Sequence, residues 1–150
     1  MLAWPCDLII AAEDAFFVDN TVSLGVCGVE FFNHLYELGA RKAKEMLFTG
    51  EAITAQEALR LGMVNHVVAR SDLTEFTMSL AAKIATKPLF ALRLAKESVN
   101  IVQDAQGRPT AMQATFALHQ VCHGHNQLVH GSIIDPTTVT RFTAPAGSAG

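Results

Sequence analysis

The sequence predicts an α/β chain: a partial core of strands and helices followed by a C-terminal helical region of the kind that mediates oligomerisation. Three observations predict it. A short apolar run at residues 8–12 lies between Pro5-Cys6-Asp7 and Glu13-Asp14, which suits a strand covered on both faces. Thr54-Ala55-Gln56-Glu57 is a capping box that opens a helix closed by Gly62, and the β-rich run 63–68 follows. From Asp72 on, apolar residues fall on more than one side of successive helices: Phe76, Leu80 and Ile84, then Phe90, Leu92, Leu94 and Val99. Helices of that kind pack inside an assembly.

The elements follow in order. Residues 8–12 form the first strand and 15–18 a short second one, with Glu13-Asp14 between them. Asp19-Asn20-Thr21 is turn chemistry. Residues 23–28 form a loop with two close glycines, and 29–38 a helix stopped at Gly39. Residues 40–48 are a second helix that ends at Thr49-Gly50. The Thr54 hydroxyl accepts the Glu57 amide while Glu57 reaches back. After strand 63–68, Asp72 with Glu75 caps a helix to about Thr86, and Pro88 starts another to about Gln103. Gly107 and Pro109 break it, and 110–126 form the last helix. The chain divides into core 1–70, helical region 71–130 and a polar segment 131–150 whose final residues, 143–150, read as a disordered tail.

With 150 residues, 50% hydrophobic and only 17% charged, the chain is apolar for a single domain. Mean hydropathy is +0.27. Two readings fit: burial in an oligomer, or absence of a covering half. A net charge of −3 without a basic run argues against nucleic acid. No apolar stretch is long enough to span a membrane, and the start lacks a positive leader region. Cys6, Cys27 and Cys122 are widely spaced and odd in number, the usage of reduced thiols in a cytoplasmic protein.

Few side chains carry chemistry. Glu30 follows Gly28 at the predicted helix start; it is either an acid–base group or a first-turn carboxylate that favours the helix dipole. His34 stands four residues later, where a helix would pair it with Glu30. Asp19 is a second carboxylate, or an ordinary turn residue. Gly25 and Gly28 match no phosphate loop; they allow close approach of a substrate to the backbone, or a tight turn. His119 and His123 share one helical face, with Cys122, His125 and His130 nearby. That spacing permits two metal ligands, but no acidic partner accompanies them in sequence, so no metal is assigned. Arg93 and Lys96 read as a solvated helix face or as contacts to a phosphate.

Residues 6–17, Cys-Asp-Leu-Ile-Ile-Ala-Ala-Glu-Asp-Ala-Phe-Phe, resemble the strand pair of the enoyl-CoA hydratase/isomerase (crotonase) superfamily. Leu24-Gly25 is similar to the loop that follows there. Residues 47–58, Leu-Phe-Thr-Gly-Glu-Ala-Ile-Thr-Ala-Gln-Glu-Ala, and Gly62-Met63-Val64-Asn65 resemble the family's Thr-Gly to Gly-Met-Val stretch. Ala95-Lys96-Glu97-Ser98 resembles its C-terminal helical region. The resemblance implies repeated ββα units, a helical domain and trimer-type homo- or hetero-oligomers. It implies acyl-CoA thioester substrates of fatty-acid metabolism, no cofactor, and two backbone amides that stabilise a thioester enolate.

The same resemblance places both amides upstream of the position matching Met1. It sets Met1 and Thr21 where the hydratase has its two glutamates, so two-glutamate hydration has no support. Glu30, with Asp19 and His34, is left as the acid–base set, and Gly25 and Gly28 as the substrate-binding pair. The sequence therefore carries two functional expectations. One is an enzyme of enoyl-CoA hydratase/isomerase type. The other is a non-catalytic, truncated remnant or oligomer subunit that packs on intact paralogues.

Overall fold

The computed structural model describes residues 3–137. Strand β1 (Ile10–Ala12) pairs in parallel with β4 (His66–Val68), in the register Ile10↔His66, Ala11↔Val67, Ala12↔Val68. Strand β2 (Phe16–Phe17) pairs antiparallel with β3 (Ile53–Thr54). Both first strands arise in the run read from sequence, but each is shorter than expected. Pairing stops where a neighbour stops: Leu8 is exposed, and Ile9 meets Asn65 only through the Asn65 side chain and backbone.

The described residues form five α-helices: α1 (His34–Thr49) between β2 and β3, α2 (Ala55–Leu61) between β3 and β4, then α3 (Leu73–Ala85), α4 (Leu89–Ala105) and α5 (Arg108–His130). The expected helix over 29–38 starts later. Residues 29–33 are irregular, because Asp19 takes the Val29 amide at 3.3 Å and the His34 ring at 2.8 Å and holds that stretch in a loop. Inside α1, Gly39 sits at φ 72°, ψ 160°, a glycine-only conformation that kinks the helix where the sequence placed a stop. Pro109, read as a breaker, lies in the first turn of α5, where its missing N–H costs nothing. The last helix therefore runs over 108–130 and not 110–126.

The capping expectations divide. Thr54 Oγ1 accepts the Glu57 amide at 3.2 Å. Glu57 does not return the favour to Thr54: its carboxylate meets Lys42 at 3.0 Å and Arg60 at 3.5 Å. Replacing Thr54 with alanine is expected to cost about 1 kcal/mol, read as a shifted urea midpoint. Asp72 makes no side-chain cap; its carboxylate accepts the Ser71 hydroxyl at 2.7 Å instead.

The core lies between the paired strands, α1 and α2. It is built from Ala11, Leu38, Ala43, Met46, Ile53, Ala55, Ala58, Met63 and Val64. Small residues on α2 let it press onto the strands, and Met63 and Val64 fill the exit from it. Helices α3 and α4 bury no residue fully, and α5 buries only His119 and Asn126 among the described residues. Their apolar side chains stand outward: Phe90 is 75% and Leu128 89% exposed. The segment 143–150 expected to be a disordered tail lies outside the described residues.

Candidate functional site

The loop from Asp19 to Asn33 gathers the candidate residues, and two anchors shape it. The first is a buried carboxylate–imidazole pair. Asp19 is 5% exposed and His34 fully enclosed, and Asp19 Oδ2 accepts the His34 Nε2–H at 2.8 Å. Asp19 Oδ1 accepts the Thr21 amide at 2.9 Å and the Thr21 hydroxyl at 2.5 Å, the aspartate turn that Asp-Asn-Thr foretold. Burial pushes the Asp19 carboxyl up. The hydrogen bonds from His34 and Thr21 outweigh it and hold the carboxyl below the usual carboxylate range. Trp4 and Phe32 pack on the imidazole at 4.6 and 4.4 Å between ring centroids, and His34 Nδ1 has no partner.

The second anchor is α5. His119 Nδ1–H donates to Gly28 O at 2.8 Å, and the Asn126 amide donates to Gly25 O at 3.1 Å. Gly25 (φ 74°) and Gly28 (φ 139°) both adopt conformations that disfavour a side chain. A Cβ on Gly28 would lie 2.6 Å from the Phe32 ring. The two glycines thus turn their carbonyls to α5. Between these contacts Cys27 meets Cys122; burial and that neighbour raise the Cys27 thiol, which leaves it a poor nucleophile. None of the cysteines is in a disulfide.

These anchors rearrange the predicted partnerships. His34 pairs with Asp19, not with Glu30, because no helical turn joins residues 30 and 34. Glu30 is half exposed at 52% and lies with Oε1 3.7 Å from His119 Nε2. His119 in turn meets His123, Nε2 to Nε2, at 2.9 Å. The i,i+4 spacing gave the histidine pair; nothing in the sequence pointed to its contact with Glu30, nor to Asn126 as a loop anchor.

A separate groove of about 1140 Å³ runs between the 4–9 segment, Phe31, α4 and the start of α5. Its two basic groups are already engaged: Lys96 with Asp7 at 2.6 Å and Arg108 with Asp104 at 2.9 Å. Arg93 stands exposed on α4. No helix among the described residues is long and apolar enough to cross a membrane, and no three or more His, Cys, Asp or Glu side chains there are grouped so that they could hold a metal ion.

Comparison with known proteins gives this loop a setting. The family described as Enoyl-CoA hydratase/isomerase matches residues 1–133. EchA13 of Mycobacterium tuberculosis, provisionally named an enoyl-CoA hydratase, is 46% identical over 140 residues, which are 93% of this chain and 44% of that protein. Methylmalonyl-CoA decarboxylase of Escherichia coli is 39% identical over 101 residues, 66% of this chain and 39% of that one. The crystal structure of a probable enoyl-CoA hydratase from Mycobacterium smegmatis superposes with a TM-score of 0.88 at 53% identity, over 89% of this chain and 55% of that one. The chain thus spans about half the length of the relatives it matches. Extent of match, shared α/β order and C-terminal helices agree, and the chain belongs to the enoyl-CoA hydratase/isomerase family.

Proposed function

We propose that this chain supplies the acid–base part of a site that acts on acyl-CoA thioesters in fatty-acid metabolism, with Glu30 as the proton-transfer group. The observation that carries this reading is the position of Glu30. It is the one carboxylate of the predicted set that reaches solvent, on a loop fixed at both ends by buried contacts. Asp19 and His34 are enclosed and position that loop. The Gly25–Gly28 turn forms the wall against which the acyl group lies, and the enolate-stabilising amides come from sequence that the relatives carry beyond the matched part. Such a protein works in the cytoplasm, as a trimer-type oligomer.

Hydration of crotonyl-CoA, followed by loss of the enoyl-thioester absorbance, tests the reading. Glu30→Gln is expected to lower kcat by about 10²-fold with KM little changed. Hydration that survives Glu30→Gln unchanged would falsify the assignment. The exposed apolar faces of α4 and α5 favour a second reading, a non-catalytic subunit that packs on intact family members. A chain that turns over no crotonyl-CoA but elutes together with an intact trimeric crotonase in size-exclusion supports that second reading over the first.

A further inference from the structure

Two thiols lie between the contacts that seat the 25–28 turn on α5. Gly25 O accepts from the Asn126 amide at 3.1 Å, and Gly28 O accepts from His119 Nδ1–H at 2.8 Å. Cys27 stands in the stretch of loop between these two carbonyls. Cys122 stands on α5 between the two donors, three residues after His119 and four before Asn126, the spacing of one helix face. The two-point attachment therefore brings the Cys27 and Cys122 thiols together, although 95 residues separate them in sequence. Both are half-buried, and neither is in a disulfide; the third cysteine, Cys6, is exposed. The seat is also stiff. A Cβ on Gly25 would lie 2.8 Å from Asn126 Oδ1, and the Asp135 amide donates to Leu24 O at 2.8 Å. Thiols held in this way need no long loop to close before they meet. The acid–base reading of the loop uses neither of them.

We propose that Cys27 and Cys122 form a reversible oxidation site for a hydroperoxide, closed as a disulfide that locks the 25–28 turn onto α5. In the first step the Cys122 thiolate attacks the O–O bond of hydrogen peroxide. An S–O bond forms, Cys122 becomes a sulfenic acid, and the hydroxide released takes up the proton that the Cys122 thiol gave off. Cys27 Sγ then attacks the Cys122 sulfur. The S–S bond forms, the S–O bond breaks, and the leaving hydroxide takes the Cys27 proton as water. In all, two thiols lose two electrons and one peroxide is reduced to two waters. Burial disfavours the Cys27 thiolate, which assigns Cys27 to the second, intramolecular step, where proximity offsets the loss. A dithiol reverses the bond by exchange, so in a reducing compartment it is transient. While closed, it stiffens the loop that carries Glu30.

The test exposes the chain to hydrogen peroxide, quenches it with N-ethylmaleimide and maps its peptides without reduction. A cross-linked peptide joining Cys27 to Cys122, lighter than the two thiols by two hydrogens, is expected. Tm is expected to rise by about 5 °C, and dithiothreitol should reverse both changes. In the urea-unfolded chain the bond is expected to form at least about tenfold more slowly, because the two thiols are then joined only by a long flexible loop. Cys122→Ser is expected to melt like the reduced wild type and to lose the peroxide-dependent rise in Tm. Should that variant fail to melt cooperatively, Cys27→Ser serves instead, with the same loss expected. Both thiols still open to maleimide once exposed Cys6 is oxidised would overturn the proposal. So would Cys122 carried on to a sulfinic acid while Cys27 stays reduced, or a bond that forms as fast in urea or lowers Tm. A rise in Tm with peroxide that persists in the serine variant overturns it as well. None of these readouts involves a thioester, so their failure is distinct from failure of the Glu30 reading.

Discussion

Asp19→Ala is expected to destabilise the fold by about 3–5 kcal/mol, the range for removing one partner of a buried pair. The carboxylate accepts from four donors: the Thr21 amide and hydroxyl, the Val29 amide and the His34 ring. Alanine leaves these without an acceptor in a space closed by Trp4 and Phe32. Asp19→Asn is expected to cost less, because its oxygen keeps one pair of donors and only its NH₂ group opposes the other. Urea unfolding at neutral pH gives the magnitude; alanine within 1 kcal/mol of wild type would sink the idea that this pair fixes the loop. The pH dependence has a definite sign. The Asp19 carboxyl lies below its ordinary value in the folded chain, so its contribution is complete above the unfolded pKa, about 3.9. It is lost as pH falls through the lower folded value. The stability gap between wild type and Asp19→Asn should therefore narrow below about pH 4 and stay constant above about pH 5.

Which parts of the fold and site were legible follows from where the determining contacts lie. Gly39, Gly50 and Gly62 interrupt or end helical stretches where the sequence put them, because a helix end is decided within a few residues. The Thr54–Glu57 contact is equally local. The start of α1 is not. Residues 29–33 have a composition that can be helical, and only Asp19, brought from ten residues before Val29, diverts them. That one contact also undoes the predicted Glu30–His34 pairing, which assumed a helical turn. The same holds for the site. His119 and His123 were visible as a helical pair, but Glu30 meets His119 through folding of the loop onto α5. Asn126 looked like a helix end and instead sits 1% exposed within α5, with its amide on the loop carbonyls. Local chemistry can be read along the chain; the docking of the loop on α5 cannot, since its partners are about 100 residues apart.

The second large effect is expected at that joint. Gly25 has φ 74° and ψ 21°, and a Cβ there would lie 2.8 Å from Asn126 Oδ1 and 2.8 Å from the Asp135 Cβ. The left-handed backbone alone costs a non-glycine residue about 1–2 kcal/mol. The steric part is added to it, because neither neighbour is free to withdraw. Asn126 Nδ2 donates to Gly25 O at 3.1 Å and to Ile133 O at 3.3 Å, and the Asp135 amide donates to Leu24 O at 2.8 Å. Moving Asn126 aside leaves its buried amide without acceptors, a loss of about 1–3 kcal/mol. Gly25→Ala should therefore cost about 2–5 kcal/mol in all. Gly62→Ala separates the two contributions: Gly62 has nearly the same backbone, φ 80° and ψ 8°, but nothing within 4 Å of its Cβ. It should show the backbone strain alone, about 1–2 kcal/mol by urea unfolding. Equal losses in the two variants would mean that the loop does not bear on Asn126. A larger loss at Gly25, together with faster amide exchange at Val26 and Gly28, would show that α5 holds the loop carrying Glu30 through this contact.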